Sequence, residues 1–206
     1  SILIKLGFVS EEDIAQVLRQ YGFVVIHKQN LNVNKMNDAI VKFMQRLSEY
    51  SNSIGLFYYA GHGMQINQRN YLIPIGSSID NAKQVEKNAV KVQRIINQMM
   101  NTGSRINIII LDACRNNPFP NNSITRSFSS YDGFSRGLAR MDAPQGTIIS
   151  FATAPGTTAS DGPGRNGLYT KHLLKAIRTP DLTIEKVFKQ TATKVKRASE
   201  NKQVPW

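Results

Sequence analysis

A single cysteine, Cys114, stands among 206 residues. One thiol excludes an internal disulfide framework and any metal cluster built on several cysteines. Long apolar runs are missing too, since none reaches the roughly 18–20 residues that span a bilayer as a helix. The opening Ser1-Ile2-Leu3-Ile4-Lys5-Leu6 lacks the apolar stretch of a secretion signal, and the compartment is left open. Acids are scarce, 14 against 26 lysines and arginines, for a formal net charge of +12. Such a surplus attracts acidic surfaces. The basic residues are nevertheless scattered, with one mild cluster at Lys186, Lys189, Lys194, Lys196 and Arg197, no zinc-finger spacing and no aromatic-rich basic stripe. Nucleic-acid binding as the main function is therefore disfavoured. EF-hand spacing and a dedicated acidic cluster are absent as well, so no cofactor or metal site is expected and calcium dependence stays undecided.

What is present is an alternation of amphipathic helices and short β-rich runs, the pattern of an α/β fold on a parallel sheet. Ser10-Glu11-Glu12-Asp13 reads as a helix start, with Ile14, Val17 and Leu18 on one face. A strand is expected at Phe23-Val24-Val25-Ile26, then a helix carrying Met36, Ile40, Phe43, Met44 and Leu47. Ile54 to Tyr59 reads as a buried strand, Tyr71 to Pro74 as a short strand or extended segment and Val90 to Met100 as a helix. The run Ile106-Asn107-Ile108-Ile109-Ile110-Leu111 is the most emphatic strand and leads straight into Asp112-Ala113-Cys114. A loop rich in Pro, Asn, Ser and Gly is expected over 116–140, and a further strand at Thr147 to Phe151. A polar, Gly-rich loop follows from Ala154 to Asn166, and two helices close the chain.

Two strands thus end in chemically capable residues, one in His62 and one in Cys114. In open parallel sheets, functional residues gather beyond the carboxyl ends of the strands. Of three histidines, His27 closes a strand and His172 lies within a helix. His62 instead sits between Gly61 and Gly63. A thiol becomes an effective nucleophile when a nearby base raises its thiolate fraction. His62 could do this and then protonate the leaving amine, with the backbone amides of Gly63 and Cys114 as donors to the tetrahedral oxyanion.

Phe57-Tyr58-Tyr59-Ala60-Gly61-His62-Gly63 and Ile110-Leu111-Asp112-Ala113-Cys114-Arg115-Asn116-Asn117-Pro118 closely resemble the two signatures of bacterial caspase-like peptidases, relatives of metacaspases and paracaspases. Arg69-Asn70-Tyr71-Leu72-Ile73-Pro74, Gly137-Leu138-Ala139-Arg140, Ala152 to Gly156, Asp161-Gly162 and Arg165-Asn166-Gly167 fit the same family in the same order. The resemblance implies a caspase–haemoglobinase fold, a mostly parallel six-stranded sheet flanked by helices. It implies one peptidase domain over 1–206: a large-subunit-like part at about 1–120, the loop at about 116–140 and a small-subunit-like part at about 141–206. It also implies a Cys114–His62 dyad without an obligatory third member, acting on protein or peptide substrates. Since metacaspase-like enzymes generally do not pair through an edge strand, a monomer is expected.

Asp112 lies two residues before Cys114, so in an extended segment both side chains leave one face. Its carboxylate could form the base of a pocket for a substrate Arg or Lys, as the acid at this position does in metacaspase-like enzymes. Asp161 matches a second acidic pocket position. With such specificity, Arg126, Arg136 and Arg140 become candidate self-cleavage points. Two other readings stay open at this stage: a catalytically silent caspase-like binding or regulatory module, and a basic nucleic-acid-binding protein.

Overall fold

The computed structural model describes residues 2–7, 12–79, 81–113, 134–135, 137–155, 157 and 167–206, with 2–7, 12–13 and 134–135 described by backbone alone. The elements run β1 (Ile2–Gly7), α1 (Glu12–Gln20), β2 (Val24–Gln29), α2 (Val33–Ser48), β3 (Ile54–Ala60), β4 (His62–Ile66) and β5 (Arg69–Ile73). They continue through α3 (Ala82–Asn88), β6 (Val90–Lys91), α4 (Val92–Met100), β7 (Ile106–Asp112), β8 (Phe134–Ser135), β9 (Thr147–Phe151), α5 (Leu168–Ile177) and α6 (Ile184–Ala198).

The main sheet has the order β2-β1-β3-β7-β9, with every pairing parallel. Parallel strands need crossovers, and helices on both faces supply them. Period-2 alternation along the central strands divides the core. Phe57, Tyr59, Ile109 and Leu111 pack with α2 and α4, through Phe43, Leu47, Ile95 and Met99. Leu56, Tyr58, Ala60, Ile108 and Ile110 pack with α1, α5 and α6, through Ile14, Val17, Leu173 and Val195. Helix α2 starts where Asn32 caps it, accepting from the Lys35 amide at 3.0 Å.

A second, antiparallel sheet of order β6-β5-β4-β8 stands beyond the end of β3. Its central hairpin turns on Asn67 and Gln68, both with positive φ (48° and 61°), the left-handed pair of a tight two-residue loop.

Four expectations change. The main sheet holds five strands among the described residues rather than six. At the open edge of β9, Phe151 and Trp206 exchange both backbone hydrogen bonds at 2.8 and 3.1 Å, a single antiparallel pair too short to count as a strand. The short strand expected near Tyr71 has an unexpected partner, β4, with which it forms a hairpin, and α3 appears where no helix was expected. The loop assigned to 116–140 acquires order at its far end, where Phe134–Ser135 pairs with β4 and residues 137–139 are buried. No helix among the described residues is long and apolar enough to cross a membrane.

Candidate active site

Strands β3 and β7 end side by side, with Ala60 opposite Asp112. The pairing runs one step further, because the Gly61 amide donates to the Asp112 carbonyl at 3.2 Å. The chain then enters β4 at His62, which is half-buried. Tyr59 fixes this turn: its hydroxyl lies 2.9 Å from the His62 carbonyl and 3.1 Å from that of Ile73, bridging the hairpin's two arms. At Gly63 a side chain has no room. A β-carbon there would come within 2.8 Å of the Ala113 carbonyl oxygen, 3.2 Å of the Ala113 β-carbon and 3.1 Å of Leu138 Cδ2. Hydrogen at this position lets β4 lie directly against the residue that precedes Cys114.

Asp112 is 7% exposed. Its Oδ2 accepts from the Thr170 hydroxyl at 2.6 Å, and the Tyr58 hydroxyl lies 2.5 Å from Thr170 Oγ1. Thr170 sits in the first turn of α5, the electropositive end of that helix, which suits a neighbouring carboxylate. Tyr169, one residue earlier, bonds Ser150 at 2.8 Å. Burial pushes the Tyr169 phenol far above its ordinary range; the Ser150 bond opposes this and the Asp112 charge adds to it. Cys114, Asp161, Arg126 and Arg136 lie outside the described residues. His62, Gly63 and Asp112 are gathered around Ala113 at one sheet end, while His27 and His172 lie in β2 and α5 as the sequence suggested.

A family model described as Caspase domain matches residues 9–206. The chain belongs to the caspase-domain family. It is 25% identical over 173 residues to the human mucosa-associated lymphoid tissue lymphoma translocation protein 1, and equally to the mouse homolog. That stretch covers 82% of this chain but 19% of either relative, so the chain spans about a fifth of their length. Among solved structures, caspase-1 from Spodoptera frugiperda superposes with a TM-score of 0.62 at 17% identity, covering 100% of this chain and 86% of that one. The Drosophila initiator caspase Dronc gives 0.67 at 10% identity, over 100% and 77%. At such identities these likenesses show the fold. At the level of the family, this is a caspase-like cysteine-peptidase domain.

Several residues of this caspase domain were not foreseen as parts of the site. Asn70, 2% exposed, donates its amide to the Ala139 carbonyl at 2.8 Å and accepts from the Ala139 amide at 2.7 Å. This reciprocal pair fastens residues 137–139 to β5 and seats Leu138 against Gly63. Both Asn70 and Ala139 lay within motifs that carried the family resemblance, although nothing in either motif announced that they meet. Tyr58 reads as part of a buried strand and Thr170 carries no signal of its own; only the fold brings them together with Asp112.

Proposed function

We propose that this caspase domain is an endopeptidase using a Cys114–His62 dyad and cutting after Arg or Lys. The observation that supports it most is the packing of Gly63 on Ala113, which sets the His62 turn against the residue adjoining the cysteine. In this reading His62 takes the thiol proton, and the thiolate attacks the scissile carbonyl carbon. The backbone amides of Gly63 and Cys114 bind the resulting oxyanion. His62 then gives the proton to the leaving amine, and water, deprotonated by the same imidazole, releases the acyl group. Asp112 supplies the negative charge for the substrate cation, with Asp161 as a second contributor.

Self-processing fits Arg126 best of the three candidates. Arg140 is exposed, stacked 5.8 Å from the Trp206 ring and 3.9 Å from Asp142. The residues before it are buried and Ala139 is bonded to Asn70, so a substrate-like extended strand there requires those bonds to break. Arg136 falls between Ser135, paired with β4, and buried Gly137.

The test is cleavage of matched fluorogenic peptides ending in Arg, Lys or Asp, under reducing conditions with and without calcium. Wild type should cut after Arg and Lys, and Cys114→Ala should lose at least about a thousandfold of that rate. Cleavage after Asp would remove the role given to Asp112, and no cleavage under any condition would favour a silent module.

A further inference from the structure

The carboxylate of Asp112 accepts from a hydrogen-bond chain whose direction the chemistry dictates. An ionised carboxylate only accepts, so the single proton of the Thr170 hydroxyl is committed to Asp112 Oδ2, 2.6 Å away. Thr170 Oγ1 can then only accept from Tyr58, and the chain runs from the Tyr58 hydroxyl through Thr170 to Asp112. Its members come from β3, α5 and β7, and Tyr58 and Thr170 are both 0% exposed. Around them pack Ile108, Ile110, Ala60 and Leu173. Burying two hydroxyls and a carboxylate among hydrocarbon adds little net stability over an apolar filling of the same shape. What the arrangement does supply is orientation, because a rigid neighbour bonded to Oδ2 restricts rotation of the carboxylate and so helps define its plane.

We propose that Tyr58 and Thr170 are positioning residues that fix the plane of the Asp112 carboxylate and thereby set a preference for arginine over lysine at the cleaved position. The inference rests on the reading of Asp112 as the acid of the substrate pocket. A guanidinium is a planar fork that gains from two parallel bonds only when the carboxylate plane matches its own. An ammonium is a compact charge with rotatable donors and tolerates a carboxylate at many angles. Loosening the carboxylate therefore weakens arginine recognition more than lysine recognition.

The experiment compares kcat/KM for matched Arg- and Lys-ended peptides in each of several variants. The ratio is taken within one preparation, so it does not depend on the folded fraction. Thr170→Val should lower the Arg:Lys ratio by about tenfold. Tyr58→Phe, which leaves the Thr170–Asp112 bond in place, should lower it by about threefold. Thr170→Ser restores the hydroxyl and should keep the wild-type ratio. An unchanged ratio in Thr170→Val, or an equal fall in Thr170→Ser, overturns the proposal. Asp112→Asn in the same assay tests the underlying reading. If it loses both activities while Thr170→Val leaves the ratio alone, the pocket stands and the positioning role falls. If Asp112→Asn cuts after Arg and Lys as wild type does, the pocket reading and the positioning role fall together.

Discussion

The two faces of the main sheet are built from the same strands and filled in opposite ways. Toward α2 and α4, the central strands present Phe57, Ile109 and Leu111 to Phe43 and Leu47, all within 0–1% exposure. Among the described strand residues on this side, polar groups sit toward the sheet's ends, with Asn107 bonded to Ser104 at one and the Tyr59 hydroxyl at the other. Toward α1, α5 and α6, alternate residues of those strands bring Tyr58 and Asp112 to meet Thr170, with Ser150 and Tyr169 bonded beside them. One face is filled like an ordinary apolar core, where shape and volume decide stability. The other gives up some of that filling to deliver a charge to the carboxyl edge. On the function proposed above, stability and specificity would be carried by residues one position apart on the same strand.

Three measurements would break or sharpen this division. Phe43→Ala on the apolar face should lower unfolding free energy by about 3–5 kcal/mol, read from urea titration, while cleavage per folded molecule stays near wild type. A large loss of specific activity would show that the faces are not separable. Gly63→Ala forces a methyl group onto a backbone oxygen and should cost about 1–3 kcal/mol, together with most of the cleavage activity. Gly55→Ala is the control. Its closest contacts are the side-chain ends of Leu47 and Met99, at 2.7 and 3.0 Å, which can swing aside, so cleavage should survive. Equal behaviour of the two alanine variants would remove the Gly63–Ala113 contact from the account of the site.

The smallest effect belongs to His172, in the seam between α5 and α6. Partial burial and the charges of Lys175, Lys171 and Lys194 hold its pKa below the ordinary value. A base with a depressed folded pKa leaves stability intact above about pH 6.5; stability is then lost as pH falls through that value toward the folded one. Lys175→Gln should move the His172 pKa upward in an NMR titration and reduce the acid-side loss. A downward movement would contradict this placement of the charge.

The parts of the fold legible in the sequence were those where one signal dominated. β3 is an apolar run and β7 one interrupted only by Asn107 before Asp112, and they lead into Gly61-His62-Gly63 and Ala113-Cys114, so strand and sheet edge could be read together. The stripe of α2 was equally plain. Helix α3 has one buried apolar residue, Val85, and offers too little periodicity to register. The β4–β5 hairpin escaped for a related reason: Gln65 and Asn70 are polar yet buried, and its turn uses Asn67 and Gln68 where glycine would have signalled it. Candidate site residues were legible where they adjoined a strand end. The Tyr58–Thr170 link was not, because 112 residues separate its partners and either side chain alone is unremarkable in a core.

The Asn70 amide has a topological consequence. By exchanging two bonds with Ala139 as a neighbouring strand would, it acts as a surrogate peptide group that moors the chain on the far side of 114–133. The near side is moored by β7 within the sheet, and β9 pairs with β7 in parallel. A nick between those moorings would alter the covalent connectivity and leave these two sets of hydrogen bonds in place. The two fragments would then behave as a single folded body held without a covalent link, separable by denaturant but not by dilution alone.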